Sequence, residues 1–208
     1  MKAKQIKTAP RKTKPASRWP DWLTFDRAII GGSVLATVAI LIIVFVSSSQ
    51  RGAVQNLTID GVQEFAVVSA LHQVTPVDYP QSPPAGGAHH PTWQQCGVYS
   101  APIVDEHAVH SLEHGAIWIT YQPELGSAEV EKLANITRQS GYRLLSPYPG
   151  IDSPIILTGW GVQLKLDSAD NPRLMQFISK YEQGPTTPEL GATCGGGVTQ
   201  TRAELQGT

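Results

Sequence analysis

The sequence predicts an α+β fold: one N-terminal transmembrane helix, then a single exported α+β sandwich domain in which two main helices pack on one sheet. Three observations carry this. Residues 28–46 form an uncharged apolar run, basic residues crowd before it, and acidic ones prevail after it. The 162 residues that follow the run alternate short β-branched segments with two amphipathic ones.

The run AIIGGSVLATVAILIIVFV holds 19 residues without a charge, twelve of them Ile, Leu, Val or Phe. At the helical rise it spans about 28 Å, close to the ~30 Å hydrocarbon core of a bilayer. Each large apolar residue favours insertion by roughly 0.3–0.6 kcal/mol, which outweighs Gly31, Gly32, Ser33 and Thr37. A buried helix of a soluble protein seldom runs so far without a polar stripe. Residues 1–27 carry eight Lys and Arg against Asp21 and Asp26, a net of +6, whereas only Arg51 follows the run closely. The positive-inside rule then puts the N-terminus in the cytoplasm and residues 47–208 outside the plasma membrane, with Trp19 and Trp22 at the interface. The run exceeds the about 7–15 residues of a signal-peptide core, so it reads as an uncleaved anchor. The basic arm 1–27 reads as disordered and drawn to anionic headgroups. Nothing structured accompanies its charge, which argues against nucleic acid as its partner.

After the run the balance reverses: residues 47–208 carry eight basic and fifteen acidic residues, a net of −7. An acidic exterior domain again argues against nucleic acid. Residues 47–61 read as a linker, 62–198 as one domain with one core, and 199–208 as a flexible tail. Both cysteines, Cys96 and Cys194, lie in the exported part, where an oxidising compartment favours one disulfide between them. The closed loop is worth about 4–5 kcal/mol in the chain-entropy model. There is no C-x-x-C, so thiol redox chemistry is a poor reading.

Within the domain, Gln63–Ala70 reads as a first strand. Pro76 to Pro91 contains Pro80, Pro83, Pro84, Gly86 and Gly87, which excludes regular structure and gives a long ordered loop. Ala116–Tyr121, with Ile117, Trp118 and Ile119, is a strand. Ser127 caps a helix running to about Ser140 and ended by Gly141, with Val130, Leu133 and Ile136 facing the core. Tyr142–Leu145, Pro154–Thr158 and Val162–Leu166 are further strands. Asp170 or Asn171, with Pro172 in the first turn, opens a last helix through Tyr181.

Chemistry concentrates in the histidines. Five of the six fall between His89 and His114, and His110-Ser111-Leu112-Glu113-His114 forms an H-x-x-E-H pattern. If Asp105–His114 is a helix with Asp105 as cap and Gly115 at its end, His110, Glu113 and His114 share one face. If it is extended, the two histidines still share a face and Glu113 points away. On a helix the pattern matches the inverzincin zinc-peptidase motif, two ligands and a general base. The domain is small for a peptidase, however, and no third ligand stands out downstream. Imidazoles with a carboxylate suit Zn(II) or Cu(II), and the lack of methionine beyond Met175 argues against a Cu(I) site.

The order of His72, Tyr79-Pro80, Pro83-Pro84-x-Gly86-Gly87-x-His89, Trp93, Cys96-Gly97-x-Tyr99 and Val109-His110-Ser111-Leu112-Glu113-His114-Gly115 resembles one known family. So do Leu145-Ser146-Pro147-Tyr148-Pro149-Gly150, Trp160-Gly161, Asp170 to Phe177 and Gly184-Pro185. The chain resembles domain-of-unknown-function family 3105, single-span membrane proteins mostly of actinobacteria, over about residues 62–198. The resemblance implies an anchored envelope domain without an assigned activity. It singles out His72, His89, His110, Glu113 and His114 as motif positions and leaves His90 and His107 incidental. The leading expectation is a divalent-metal site with His89, His110 and His114 as ligands, Glu113 beside them and His72 nearby. A metal-free envelope interaction module with structural histidines is the second reading, and a zinc-dependent hydrolase the third.

Overall fold

The computed structural model describes residues 25–207, with the backbone alone for 25–31 and 48–55. The readings of the basic arm up to residue 24 and of Trp19 and Trp22 lie outside the described residues. The chain divides into two units, residues 1–50 and 51–208. The first contains most of α1 (Phe25–Gln55), an unbroken helix whose described large apolar side chains are exposed, among them Leu35, Ile43 and Phe45. Among the described residues no helix is long and apolar enough to cross a membrane. The side chains described in α1 are those of residues 32–47, fewer than the ~20 a span requires.

The second unit is an α+β domain. Its strands are β1 (Val62–Glu64), β2 (Gly97–Val98), β3 (Ile117–Tyr121), β4 (Arg143–Pro147), β5 (Ile155–Gly159) and β6 (Val162–Leu166). Its helices are α2 (Asp105–Glu113), α3 (Ser127–Thr137), α4 (Pro172–Tyr181) and α5 (Arg202–Gln206). The six strands form one mixed sheet ordered β1-β6-β5-β3-β4-β2. β3 and β4 run parallel, joined through α3, while β3–β5, β5–β6 and β6–β1 are antiparallel hairpins or returns. Every residue of β3, β4 and β5 is buried, because both faces of the sheet are covered.

Alternation along the strands sorts two cores. Ile117, Ile119, Leu145, Leu157 and Leu164 meet Leu133 of α3 and Leu174, Phe177 and Ile178 of α4. The opposite face presents Trp118 and Leu144, which pack with Ile103 and with Ala108 and Leu112 of α2. Helices therefore lie on both faces of the one sheet. The second face is also the more polar: Trp118 Nε1 donates to Ser146 Oγ at 3.0 Å, and Gln163 donates to the Pro83 carbonyl at 2.7 Å. That last bond ties the Pro/Gly loop to the sheet. With Gly161 N donating to the Ala85 carbonyl at 2.6 Å, it makes the loop ordered, as expected.

Element limits differ from expectation for identifiable reasons. The strand expected over Gln63–Ala70 stops at Glu64, which pairs with Val162, the first residue of β6; Phe65 N still donates to Gly161 O at 2.8 Å, and there the partner chain turns back into β5. Asn171 caps α4 by accepting from Arg173 N at 3.0 Å, as foreseen, whereas α3 begins from Gly126 with no side-chain cap. Residues 139 and 140 tighten into i→i+3 bonds instead of continuing α3 (Gln139 N to Ile136 O, Ser140 N to Thr137 O). Cys96 and Cys194 are disulfide-bonded across 98 residues. The tail expected to be loose is tied down: Val198 N donates to Trp93 O, and Arg202 pairs with Asp105 at 2.8 Å. A Cβ on Gly197 would meet the Trp93 indole at 2.5 Å, so Gly197 serves close approach.

α3 is fastened to the turn before α4 through Glu129, which accepts from Lys132 at 2.8 Å, Ala169 N at 2.7 Å and Ser168 Oγ at 3.0 Å. These donors, Lys132 first, hold its carboxyl at about 2, below its ordinary 4.5. A depressed pKa means that this stabilisation is present above about pH 4.5 and is lost as pH falls toward 2. Acid unfolding should show it: the stability gap between wild type and Glu129→Gln is expected to be widest near neutrality and to close between those two pH values. A gap independent of pH would remove this role.

Candidate functional site

α2 is a polar helix buried on both sides. Ala108 and Leu112 face the sheet, and the other side is covered by residues 89–95 and by the chain around Thr193. Burial of polar groups requires hydrogen-bond partners, and here backbone carbonyls supply them. His107 Nδ1 donates to Thr92 O at 2.5 Å, His110 Nδ1 to His90 O at 2.7 Å, Ser111 Oγ to Gln94 O at 2.6 Å and His114 Nδ1 to Thr193 O at 2.7 Å. Gln94 N returns a bond to His107 O at 2.9 Å.

These bonds assign tautomers. A carbonyl can only accept, so each Nδ1 carries a hydrogen and Nε2 is the nitrogen left to other partners. His89 behaves alike, its Nδ1 donating to Gly87 O at 2.8 Å. Its Nε2 then stands 3.0 Å from Glu113 Oε2, and His72 Nε2 stands 3.5 Å from the same oxygen. The rings of His72, His89 and His110 sit at the corners of a triangle whose three centroid separations are each 4.8 Å. The ligand-capable atoms of His72, His89, His110 and Glu113 lie within 4.8 Å of one another, an arrangement that could hold a metal ion. Metal–nitrogen and metal–oxygen bonds of about 2.0–2.2 Å at a tetrahedral angle place donor atoms roughly 3.3 Å apart, in the range seen here.

Burial also keeps His110 neutral. Its pKa is pushed down to about 4, chiefly by desolvation and further by His89, His114 and His72, against the opposing bond to His90 O. Its lone pair is therefore free at neutral pH. His72 is the exposed member of the four, while His89 is fully buried with its edge against Trp160, centroids 5.9 Å apart.

The segment 105–114 is helical, which settles the alternative in favour of Glu113, but the residues divide differently from expectation. His72 is a full member of the first group. His114 turns away from Glu113: its Nε2 lies 3.4 Å from Glu189 Oε2, and His110, His114 and Glu189 form a second group within 4.8 Å. Glu189 is the third potential ligand of this second group, and the sequence did not reveal it. No local spacing marks it, since it stands in a Thr-Thr-Pro-Glu loop brought to α2 by Glu189 N donating to Glu113 O at 3.1 Å. The rings of His90 and His107 meet at a tilt of 50°, centroids 4.3 Å apart, and belong to neither group.

Fold and site together define a disulfide-closed α+β domain with a buried histidine–glutamate cluster clamped between a helix and irregular chain. The chain belongs to the family described as protein of unknown function (DUF3105), whose family model matches residues 71–196. The match takes in both residue groups and both cysteines and leaves out β1. No curated protein and no solved structure matches the chain.

Gly115 fixes the loop that delivers Glu189. It has φ +87, a conformation that side chains disfavour, and a Cβ there would stand 2.9 Å from Thr187 and closer still to the Gln183 amide. Gln183 meets Gly115 O through its backbone N at 2.9 Å and His114 O through its side chain. Gly115→Ala should therefore lower stability by about 1–3 kcal/mol. Hydrogen exchange should quicken at Gln183 and Glu189 well before the sheet; wild-type protection at both would refute the clamp.

Proposed function

We propose that this is a single-pass membrane protein whose extracytoplasmic domain binds one divalent transition-metal ion, Zn(II) or Cu(II), through His72, His89, His110 and Glu113. One observation carries the reading. His89 Nε2 stands 3.0 Å from a Glu113 carboxylate oxygen inside a buried site, with His72 Nε2 3.5 Å from the same oxygen. With His110, four ligand-capable atoms converge within 4.8 Å of one another, an arrangement suited to a cation. Imidazole nitrogens backed by Nδ1–H···O=C bonds are the usual form of a metal-ligating histidine. Imidazole and carboxylate donors match Zn(II) or Cu(II).

The anchor rests on the uncharged 19-residue run inside α1, on the exposure of its described apolar side chains, and on the +6 charge that precedes it. A disulfide in the domain fits an oxidising exterior.

A zinc-dependent hydrolase gains one supporting feature, since Glu189 adds a carboxylate to the His110/His114 pair with Glu113 as neighbour. Access weighs against it. His110, Glu113 and His114 are each under 5% exposed, and the nearby cavity of about 420 Å³ is lined by Gln73, Val74, Pro76, Glu106 and His107, none of them from either group. Binding of an ion needs only a narrow approach, whereas peptide hydrolysis needs a cleft.

The full chain purified from membranes is expected to carry close to one zinc or copper by mass spectrometry, and His110→Ala to carry none. Metal at background in the wild type would leave the metal-free interaction module. The same preparation tests the anchor: the chain should stay with the membrane pellet through an alkaline wash, and release into the supernatant would exclude a span.

A further inference from the structure

Two groups of potential ligands share one residue. His72, His89 and Glu113 lie on one side of His110, and His114 and Glu189 on the other. His110 has a single nitrogen to give, because its Nδ1 is engaged with His90 O at 2.7 Å. One imidazole lone pair coordinates one ion. We propose that the chain has two alternative positions for a divalent transition-metal ion, an inner one at His72–His89–His110–Glu113 and an outer one at His110–His114–Glu189, which cannot be filled together.

This rests on the metal-binding reading and deepens it. The second position is built in the same manner as the first. His114 is buried, its Nδ1 donates to Thr193 O, and its Nε2 lies 3.4 Å from Glu189 Oε2. The His110 and His114 rings stand 4.6 Å apart and nearly perpendicular, at 81°. Each position also has one half-exposed ligand, His72 at the inner and Glu189 at the outer, with side chains 44% and 50% accessible. The shared ligand lies between two openings on different loops. Transfer of the ion from one group to the other moves no chain element; His110 keeps its nitrogen on the ion while the flanking ligands exchange. Such a site takes up an ion at one opening and yields it at the other.

The number of ligands decides which position is preferred. Four donors against three make the inner position the resting one, and Glu113→Gln should reverse this, since a neutral amide replaces the anionic ligand. The variant's amide N–H can donate to His89 Nε2, whose Nδ1 keeps its bond to Gly87 O.

The test is titration of the full chain with Co(II), following visible absorption and total bound metal. Wild type should saturate at one ion per chain, and Glu189→Gln should leave its spectrum unchanged. Glu113→Gln should again bind one ion, at least tenfold more weakly and with a different spectrum, and the double variant Glu113→Gln/Glu189→Gln should bind none. Two ions per wild-type chain would overturn mutual exclusion while leaving metal binding intact. So would a Glu189→Gln spectrum unlike wild type, since Glu189 would then be a ligand of the resting ion, or a folded Glu113→Gln without metal, since no outer position would exist. Should Glu113→Gln fail to fold, the wild-type stoichiometry and the Glu189→Gln spectrum still decide. Absence of Co(II) from wild type would defeat the metal-binding reading itself.

Discussion

The hydrogen bonds from the side chains of α2 to the carbonyls of the chain laid over it are the constraint on which the site depends. Residues 89–95 have little regular structure, so their backbone groups need partners from outside the sheet. α2 supplies them with the imidazoles of His107 and His110 and the Ser111 hydroxyl, and His114 at its end bonds the Thr193 carbonyl in the same way. One set of bonds thus does two jobs. It lets irregular chain be buried against a helix, and it fixes the orientation of each ring through its Nδ1. Neither could be altered without the other: a ring turned to release its lone pair would strand a buried carbonyl, a loss of about 1–3 kcal/mol.

The rest of the domain serves to hold that clamp shut. Trp118 and Leu144 give α2 a floor, and the disulfide joins the two covering segments at Cys96 and Cys194. Cys96 N also donates to Cys194 O at 3.0 Å, and Gln95 N to Val198 O at 2.8 Å, so the bridge lies within a short ladder, not at an isolated point. A disulfide spanning 98 residues removes unfolded-state entropy worth about 4–5 kcal/mol. Its position has the further effect that the last strap cannot lift from α2 while the bridge is intact. At the other end of the helix, Arg202 and Tyr148 both reach Asp105, whose carboxyl is pushed up by burial and pulled back by these two partners.

Much of this was legible in the sequence, and the parts that were not share a cause. Strands rich in Ile and Leu, such as Ile155–Gly159, announce themselves because they are buried on both faces. Asn171-Pro172 marks a helix start because cap and first turn are local chemistry. His110, Glu113 and His89 stood out as a set because a dense cluster of one uncommon residue is visible without coordinates. Glu189 and the role of Gly197 were not visible, since each is defined by a contact with residues about 75–100 positions away. The split of the cluster was hidden for the same reason. Helical spacing puts His110 and His114 on one face, but which carboxylate each meets depends on the loops from residues 72 and 189.

Charge then explains why the two halves of the cluster need each other. Glu113 places a carboxylate in a site it occupies with almost no exposure. An uncompensated buried carboxylate is expensive by several kcal/mol. On the metal-binding proposal, a divalent ion set against Glu113 alone would keep one positive charge, which Glu189, the carboxylate of the second group that shares His110, is placed to neutralise. The arrangement is consequently poised between two positions, which suits an ion that is bound and passed on better than one retained for good.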